Sequence, residues 1–568
     1  MPPESPSRWL LLVVLGLLGL GVMEWLWAGG LELIPGELRS PMLPWVQGYE
    51  ERRTWVIAER SWLVPVFIVG GIVFLLVYRQ LLMWWHNTAL AWLTGTDFRQ
   101  TEYGFKHLEF NLKDYLRRGR DDYFLGLSPK KQGRGRGRPR EVTLKEWDCD
   151  THGHIVGPTG TGKTASVLFP MMFQDMIKGK GGIFIDAKGS ADNIERYKSL
   201  ARVAGREKDV RIFSLTFPEV SHTYNPVFLG PRDDPIQVAE RVFSDFPLAE
   251  NEYYRGQAKL FFYSLVQLFA GTAKPFNLTD LRLAVGDEEV LHYVMELSDE
   301  RKARYDIENQ HRQLGKRKLE TFTGLYNALC DYSHPLLDSY NPDIRIDEVM
   351  NKRQLAYFHL NCNQYSLLGP AIGKVVLRHI NSMGGMRQAY RDSFDQMGFP
   401  VTVDEAHQFL FESLLVGLAT LRDAHIQFRL AHQSLADLES ISPSFEKRLR
   451  TNTRWKILFH STDPDHLEMV SRSYGTHTTF KRTVRYSMGP LGTLLNSGET
   501  SNREVQEFRV HPDSLKALKS CGQGFLLLPD RMEPVSFAML PEFGGGQGEL
   551  EKNDEGEGLG LYRKFVRV

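Results

Sequence analysis

A chain of 568 residues is too long for a single hydrophobic core, so we expect two or three domains. The 69 basic and 69 acidic residues balance, so the overall charge gives no information about nucleic-acid binding and any electropositive surface must be local. The four cysteines lie far apart without a C-x-x-C pair, so neither disulfides nor a zinc site is expected, as is typical of a protein in reducing cytoplasm.

Two apolar runs near the N-terminus, at about 9–28 and 62–84, predict membrane-spanning helices. Tryptophans such as Trp25 and Trp84 lie near their ends, as in the aromatic belts of membrane interfaces. A cleaved signal peptide and a pair of buried core helices are the alternatives. We expect residues 1–90 to form a membrane anchor with a short extracytoplasmic loop.

Residues 91–145 are predicted to be a basic juxtamembrane linker, with a glycine-rich basic run at 130–140. Within this run, Arg136-Gly137-Arg138-Pro139 is the core of an AT-hook, which binds the minor groove of A·T-rich DNA. The same charges could instead lie against anionic lipid beside the second span, or form a solvated loop. The sequence leaves these three alternatives open.

The segment Gly157-Pro158-Thr159-Gly160-Thr161-Gly162-Lys163-Thr164 matches G-x-x-x-x-G-K-T, the phosphate-binding P-loop. It follows an apolar run at 153–156 and precedes a run at 165–169 that can begin a helix, which makes an ordinary glycine-rich turn the weaker alternative. We expect Lys163 to reach the β- and γ-phosphates and Thr164 to bind Mg²⁺. Because ATP is cytoplasmic, the chain after the second span should be cytoplasmic too.

From residue 146 onward, apolar strands alternate with helical patterns, which is typical of an α/β fold with a parallel sheet. The predicted strands are 182–186, 210–215, 355–360, 400–403, 427–431, 456–460 and 524–528. We expect 146–275 and 340–543 to form a RecA-like nucleotide-binding domain. Residues 276–339 show only helical patterns and predict an inserted all-α domain. Residues 544–568 are rich in Gly and Glu and predict a flexible tail.

A second chemical signal is the apolar strand that ends in Asp404-Glu405. In a P-loop ATPase the aspartate holds Mg²⁺ and the glutamate polarises the attacking water. Gln433 follows the next predicted strand, where it could sense the γ-phosphate; a solvated glutamine in a turn is the alternative. The extension to Asp404-Glu405-Ala406-His407 also matches a helicase motif, but no further helicase motif occurs.

Arg422 and Asn452 are two further candidates. Arg422 precedes the strand that ends before Gln433, and it could act as an arginine finger toward a neighbouring subunit or form a surface salt bridge. No N-K-x-D guanine signature is present, so ATP is preferred over GTP.

The combination of these features resembles the TraG/TraD family of type IV coupling proteins. The resemblance rests on the two spans, the P-loop, Asp186-Ala187-Lys188-Gly189, Asn225-Pro226, Asp404-Glu405 and Gln433-Ser434-Leu435-Ala436, and it covers roughly residues 1–540. The helical insertion lies where that family has its all-alpha domain. The family usually has D-P-K-G-E after the P-loop, whereas this chain has Ala187 and Ser190, which leaves the roles of Asp186 and Lys188 open.

This resemblance implies a hexameric, RecA-like ATPase of the bacterial inner membrane that uses ATP and Mg²⁺. Such proteins bring relaxosome-bound DNA or protein substrates to a type IV secretion channel. A translocase of the FtsK/HerA type and a scaffold that binds ATP without acting as a motor are the rival interpretations. The sequence does not choose between DNA and protein cargo, and it does not identify the relaxase or the channel subunits.

Overall fold

The computed structural model describes residues 77–81, 103–104, 108–109, 122–131, 140–248, 251–461, 463–473, 475–488, 494–508, 510–516, 518 and 521–539. No helix among these residues is both long and apolar enough to cross a membrane. The first predicted span, 9–28, and the tail, 544–568, lie outside the described residues. Of the second predicted span only residues 77–81 are described, and they are helical.

The described residues contain 16 strands, which we number in chain order. They are β1 Tyr103–Gly104, β2 Leu108–Glu109, β3 Tyr123–Leu127, β4 Lys130–Lys131, β5 Glu141–Leu144, β6 Gly153–Val156, β7 Gly182–Asp186, β8 Val210–Ser214, β9 Leu355–His359, β10 Phe399–Asp404, β11 Ile426–His432, β12 Trp455–Leu458, β13 Thr476–Met488, β14 Leu494–Phe508, β15 Gln523–Leu527 and β16 Met532–Met539. The seven strands expected after the P-loop are confirmed to within two residues at each end.

The helices of the described residues are numbered in the same way. They are α1 Glu146–Cys149, α2 Phe169–Ile177, α3 Ala191–Val203, α4 Pro235–Phe243, α5 Glu252–Ala270, α6 Leu278–Gly286, α7 Glu288–Leu297, α8 Arg301–Leu314, α9 Lys318–Asp331, α10 Ile346–Asn351, α11 Leu368–Ala389, α12 Glu412–Leu421, α13 Ala436–Glu439, α14 Phe445–Asn452, α15 Pro464–Ser473 and α16 Pro512–Lys516. A π-helical turn, Thr164–Leu168, leads into α2.

The central element is a mixed sheet of twelve strands, in the order β5-β3-β16-β15-β12-β6-β11-β10-β7-β9-β8, with β2 paired to β16. The seven strands from β12 to β8 run parallel to one another. Their side chains alternate between two hydrophobic cores, because Ile183 and Ile185 of β7 lie in one core and Phe184 lies in the other. Burial on both faces explains why these strands are continuously apolar in sequence.

The main sheet extends into the segment that precedes residue 146, which was predicted to be a linker. Strand β3 pairs antiparallel with β16 and with β5, which adds two strands at the edge of the sheet. The segment 524–528, predicted as part of a parallel sheet, is β15 and pairs antiparallel with β12. Of the basic run, Lys130–Lys131 form β4, and residues 132–139 lie outside the described residues.

The helices α4 to α9 form one helical unit around a shared hydrophobic core. Four of them, α6 to α9, lie in the predicted insertion 276–339, but α4 and α5 precede it. Helix α5 belongs to the same core because Phe261 stacks on Phe322 of α9, with ring centroids 4.1 Å apart. The helical unit therefore begins earlier in the chain than residue 276, at the helix Pro235–Phe243.

The described residues divide into two compact units: those within 98–477 and 506–568 form one, and those within 1–97 and 478–505 form the other. The second contains most of β13 and β14, which pair with each other in a two-stranded sheet. The first contains the central sheet and the helical unit.

A buried ion pair ties the antiparallel edge to the parallel sheet. Arg429 of β11 binds both carboxylate oxygens of Asp175 on α2, and Nη2 lies 2.9 Å from Oδ1. The hydroxyl of Tyr123 on β3 donates to the same carboxylate at 2.5 Å. Burial, followed by the nearby Asp175, raises the pKa of Tyr123 well above its usual value, so its hydroxyl stays a donor.

Replacing Arg429 with methionine should destabilise the fold strongly, because Asp175 would remain buried without a cationic partner. We expect the free energy of unfolding to fall by about 3–5 kcal/mol. Arg202→Met is the matched control, since Arg202 pairs with Glu207 at the surface, and should cost under about 1 kcal/mol. Urea unfolding of the full-length chain measures both changes, and equal losses in the two variants would contradict the account.

Candidate nucleotide-binding site

The candidate site lies at the carboxyl ends of four neighbouring parallel strands, in the order β6-β11-β10-β7. In open α/β sheets this edge is where ligands bind. The P-loop follows β6, Gln433 follows β11, Asp404 ends β10 and Asp186 ends β7. Strand register places Asp404 directly opposite Asp186. Parallel pairing alone thus brings together chain segments separated by more than 200 residues.

The P-loop has the left-handed backbone turns that its glycines allow. Gly160 has φ of +82° and Gly162 has φ of +89°, values that a residue with a Cβ adopts only with strain. The loop is anchored at its start, where the Gly157 N–H donates to the carbonyl of His432 at 3.3 Å. It is anchored again where the Gly522 N–H donates to the carbonyl of Thr161 at 3.1 Å. This backbone fits an anion held by N–H groups.

Lys163 is held above the P-loop by the loop's own carbonyl groups. Its Nζ donates to Gly157 O at 2.5 Å and to Pro158 O at 3.3 Å, and the residue is only 4% exposed. Burial lowers the pKa of Lys163, against the opposing effect of the Glu405 and Asp404 carboxylates. A cation in this position can contact phosphates that bind in the loop.

Thr164 and Asp404 form the oxygen pair that the sequence predicted for a metal. The Thr164 hydroxyl donates to Asp404 Oδ2 at 2.7 Å, although the two residues are 240 positions apart. No group of three or more His, Cys, Asp or Glu side chains among the described residues could hold a metal by itself. A hydroxyl, a carboxylate and substrate phosphates suit Mg²⁺, which keeps several waters and uses few protein ligands. The residues therefore fit this ion.

Glu405 combines burial with a strained backbone. It is 4% exposed and lies in the left-handed region, with φ of +51° and ψ of +48°, and such outliers cluster at functional sites. Neither of its carboxylate oxygens accepts a hydrogen bond from a described residue, although Lys188 Nζ lies 3.2 Å from Oε1. A carboxylate with free lone pairs beside the metal site can orient and polarise a water molecule.

Lys188 is a site residue whose role the sequence left open. Its Nζ lies 2.9 Å from Asp404 Oδ2 and 3.2 Å from Glu405 Oε1, so it bridges both acidic residues. The sequence contains part of the signal, because Lys188 comes two residues after the end of β7, and in the structure β7 is the neighbour of β10. Recognising it required the strand order, which the sequence alone does not give.

Asp186 fixes the turn that carries Lys188. Its carboxylate accepts the backbone N–H of Lys188 at 2.8 Å, the Asn193 amide at 3.1 Å and the Tyr357 hydroxyl at 2.9 Å. Burial, followed by the nearby Asp404 carboxylate, raises the pKa of Asp186 to about 6. The motif Asp186-Ala187-Lys188-Gly189 thus forms one wall of the site.

Arg422 and Asn452 lie at the other end of the strands. Arg422 follows α12 and lines a cavity of about 460 Å³ together with Asn452 and His152, which precedes β6. The Asn452 amide donates to Leu415 O at 3.1 Å. The structure does not bring either residue to the P-loop of its own chain. An arginine-finger role for Arg422 stays a prediction that needs a neighbouring subunit.

Comparison with known proteins identifies the family. Residues 126–523 match the family described as Type IV secretory system Conjugative DNA transfer, which is more than half of the chain. The chain belongs to this family. The type 4 coupling protein DotL of Legionella pneumophila is 27% identical over 147 residues. That match covers 24% of this chain and 19% of DotL, so this chain matches about a fifth of the length of that relative.

Solved structures share the fold of this family member. The unbound bacterial conjugative coupling protein TrwBdeltaN70 superposes with a TM-score of 0.52 at 13% identity, over 78% of this chain and 96% of TrwBdeltaN70. Plasmid coupling protein TrwB in complex with the non-hydrolysable ATP analogue ADPNP gives a TM-score of 0.51 at 15% identity, over 78% and 98% of the two chains. The mixed α/β fold with its large parallel sheet is therefore that of a conjugative coupling protein.

A further prediction concerns Gln433, whose replacement should have a moderate effect on ATP turnover. It directly follows His432, whose carbonyl accepts the N–H of Gly157, so it lies beside the start of the P-loop. If its amide contacts the γ-phosphate, Gln433→Ala should slow ATP turnover by roughly 10–100-fold, the effect of losing a hydrogen bond to a charged group. ADP affinity should stay unchanged, because ADP has no γ-phosphate. Equal losses for ADP and ADPNP in equilibrium binding would show that Gln433 only supports the loop.

Proposed function

We propose that this protein is an ATP-hydrolysing coupling protein that recruits substrate and drives it to a type IV secretion channel. The observation that carries the proposal is the meeting of Lys163, Thr164, Asp404 and Glu405 at one sheet edge, with a Thr164–Asp404 hydrogen bond of 2.7 Å. This arrangement occurs in a chain that belongs to a conjugative DNA transfer family. The substrate is relaxase-bound DNA, protein or both.

The cofactors in this proposal are ATP and Mg²⁺. A TrwB structure contains the ATP analogue ADPNP, which supports ATP as the nucleotide. The P-loop backbone from Gly157 to Thr164 would surround the phosphates, and the Lys163 ammonium would contact the terminal ones. Bound Mg²⁺ neutralises phosphate charge and orients the terminal phosphate. Thr164 and Asp404 would hold the ion, and Glu405 would orient and polarise the attacking water.

The protein is proposed to lie in the bacterial inner membrane with its nucleotide-binding domain in the cytoplasm. The apolar runs at 9–28 and 62–84 support a two-span anchor in the lipid bilayer. The partners would be a relaxosome or its relaxase and the subunits of the secretion channel, with the helical unit α4 to α9 contacting the substrate. A RecA-like motor of this kind would work as a homo-hexamer. In it, Arg422 of one subunit would act as an arginine finger toward the nucleotide of the next subunit.

Deleting the gene in a donor cell that carries the secretion system tests the proposal. Transfer of a mobilisable plasmid and export of a reporter protein fused to a secreted substrate are measured in parallel. We expect at least one of the two to be lost and then restored by the wild-type chain, and the lost one identifies the cargo. Unchanged transfer of both would contradict a coupling function.

A further inference from the structure

We propose that Lys188 is a positioning residue that exchanges with Mg²⁺ at Asp404. In this inference the ammonium neutralises the buried carboxylates when the metal is absent, and it moves off Asp404, toward Glu405, when the metal binds. The inference rests on the proposed binding of Mg²⁺ and nucleotide at this site. It assigns a role to the lysine of the Asp186-Ala187-Lys188-Gly189 segment.

The exchange follows from the geometry of one oxygen atom. Asp404 Oδ2 accepts the Thr164 hydroxyl at 2.7 Å and lies 2.9 Å from Lys188 Nζ. An Mg²⁺ ion bound through Thr164 and Asp404 would lie about 2.0–2.1 Å from its ligand oxygens. The ammonium and the ion would therefore share Oδ2 as a partner, and two cations at one oxygen atom repel each other strongly. Lys188 and the metal therefore compete for Asp404.

Charge balance explains why a cation is needed at this position at all times. The Asp404 side chain is fully buried and that of Glu405 is 5% exposed, so both carboxylates have little access to water. Removing the counter-charge of a buried carboxylate is costly, because the charge is left uncompensated at low dielectric. Lys188 supplies this counter-charge, because its Nζ lies 2.9 Å from Asp404 Oδ2 and 3.2 Å from Glu405 Oε1.

The backbone of Lys188 is held in place, whereas the end of its side chain is accessible. Its backbone N–H is bonded to Asp186 Oδ1 at 2.8 Å, which holds the turn in place. Its side chain is 37% exposed, so the four-carbon stem has room to swing without disturbing the core. Its second partner, Glu405 Oε1, lies 3.2 Å away and remains available after Asp404 is released. The lysine can thus give up one carboxylate and keep the other.

The test uses the purified full-length chain and Mg²⁺ alone, without nucleotide. In Lys188→Met the stem is kept and the charge is removed. We expect a lower unfolding temperature in EDTA and a rise when Mg²⁺ is added, with a roughly tenfold tighter Mg²⁺ affinity than wild type by calorimetry. Lys198→Met is the matched control, because Lys198 pairs with Glu195 at the surface, and it should respond to Mg²⁺ as wild type does.

Two further variants keep the test decisive. Asp404→Asn combined with Lys188→Met should lose the Mg²⁺ response, because the shared ligand is gone. Lys188→Arg retains the charge, and its planar guanidinium group can donate hydrogen bonds to both carboxylates at once. Because this group would compete with the metal more strongly than lysine does, the variant should require more Mg²⁺ than wild type for ADPNP binding. That measurement decides the matter even if Lys188→Met does not fold.

An Mg²⁺ response of Lys188→Met equal to that of wild type, or an unchanged Mg²⁺ requirement in Lys188→Arg, would overturn the exchange and leave Lys188 as a static ion pair. Failure of the proposed function has a different signature. In that case the wild-type chain would not bind ADPNP at any Mg²⁺ concentration.

Discussion

Replacing Lys163 with alanine should abolish ATP turnover, with a loss on the order of 10²–10³ or more in rate. The ammonium lies over the P-loop at 2.5 Å from Gly157 O. Its charge would stabilise the negative charge that develops on the transferring phosphate. Steady-state hydrolysis by the full-length chain measures the loss, and ADPNP binding should weaken as well.

The control for Lys163→Ala is Lys198→Ala, which removes a lysine from the surface of α3. Both variants should be inserted and expressed like the wild type, because Lys163 bonds only to the carbonyl groups of a loop and not to the core. Hydrolysis at the wild-type rate by Lys163→Ala would rule out this P-loop as the nucleotide site.

Replacing Glu405 with glutamine should separate binding from hydrolysis. The amide keeps the size of the side chain but cannot act as a base, so turnover should fall by about 10²–10⁴-fold. ADPNP affinity should remain within a few-fold of wild type or improve, because Glu405 is predicted to touch the water and not the phosphates. Parallel measurements of hydrolysis and equilibrium ADPNP binding give both quantities.

Glu412→Gln is the control for Glu405→Gln, because Glu412 is a half-exposed glutamate that pairs with Arg448 outside the site. It should leave hydrolysis unchanged. If Glu405→Gln hydrolyses ATP as fast as this control, another group must activate the water. A loss of ADPNP binding equal to the loss of turnover would instead place Glu405 in the binding of the phosphates.

The parallel part of the fold was predictable because strands buried on both faces are continuously apolar. The strand 182–186 was expected from this pattern and has those bounds in the structure. The antiparallel edge was not predictable in the same way. Strand β3 is five residues long and pairs with β16, which lies more than 400 positions later in the chain. Pairing between such distant short segments leaves no local signal in the sequence.

The site was predictable to the extent that it depends on strand ends. Lys163, Asp404 and Gln433 were each expected beside the nucleotide phosphates or the metal. Each follows or ends a parallel strand, so all three lie at one edge of the sheet. Arg422 lies elsewhere for the same reason, since a residue that precedes a parallel strand lies at the opposite edge from one that follows it. The bridge from Lys188 to Asp404 depended on β7 and β10 being neighbours, which sequence order does not reveal.

The helical unit shows a second limit of prediction from the sequence, which concerns the packing partners of a helix. A helical pattern in the sequence does not reveal the partners of α5, because a helix with an apolar face can pack on a sheet or on other helices. In the structure Phe261 of α5 stacks on Phe322 of α9, so α5 packs on the other helices of the helical unit. The surface that we propose for substrate contact is therefore larger than residues 276–339.

The most direct test of the central claim is substrate transfer by Glu405→Gln in donor cells that lack the wild-type chain. The claim is that hydrolysis at this site, and not nucleotide binding alone, drives transfer. The account predicts a variant that is present at the wild-type level, binds ADPNP and transfers no substrate. Transfer at the wild-type frequency by a variant shown to lack hydrolysis would contradict the account and identify the protein as an ATP-binding scaffold.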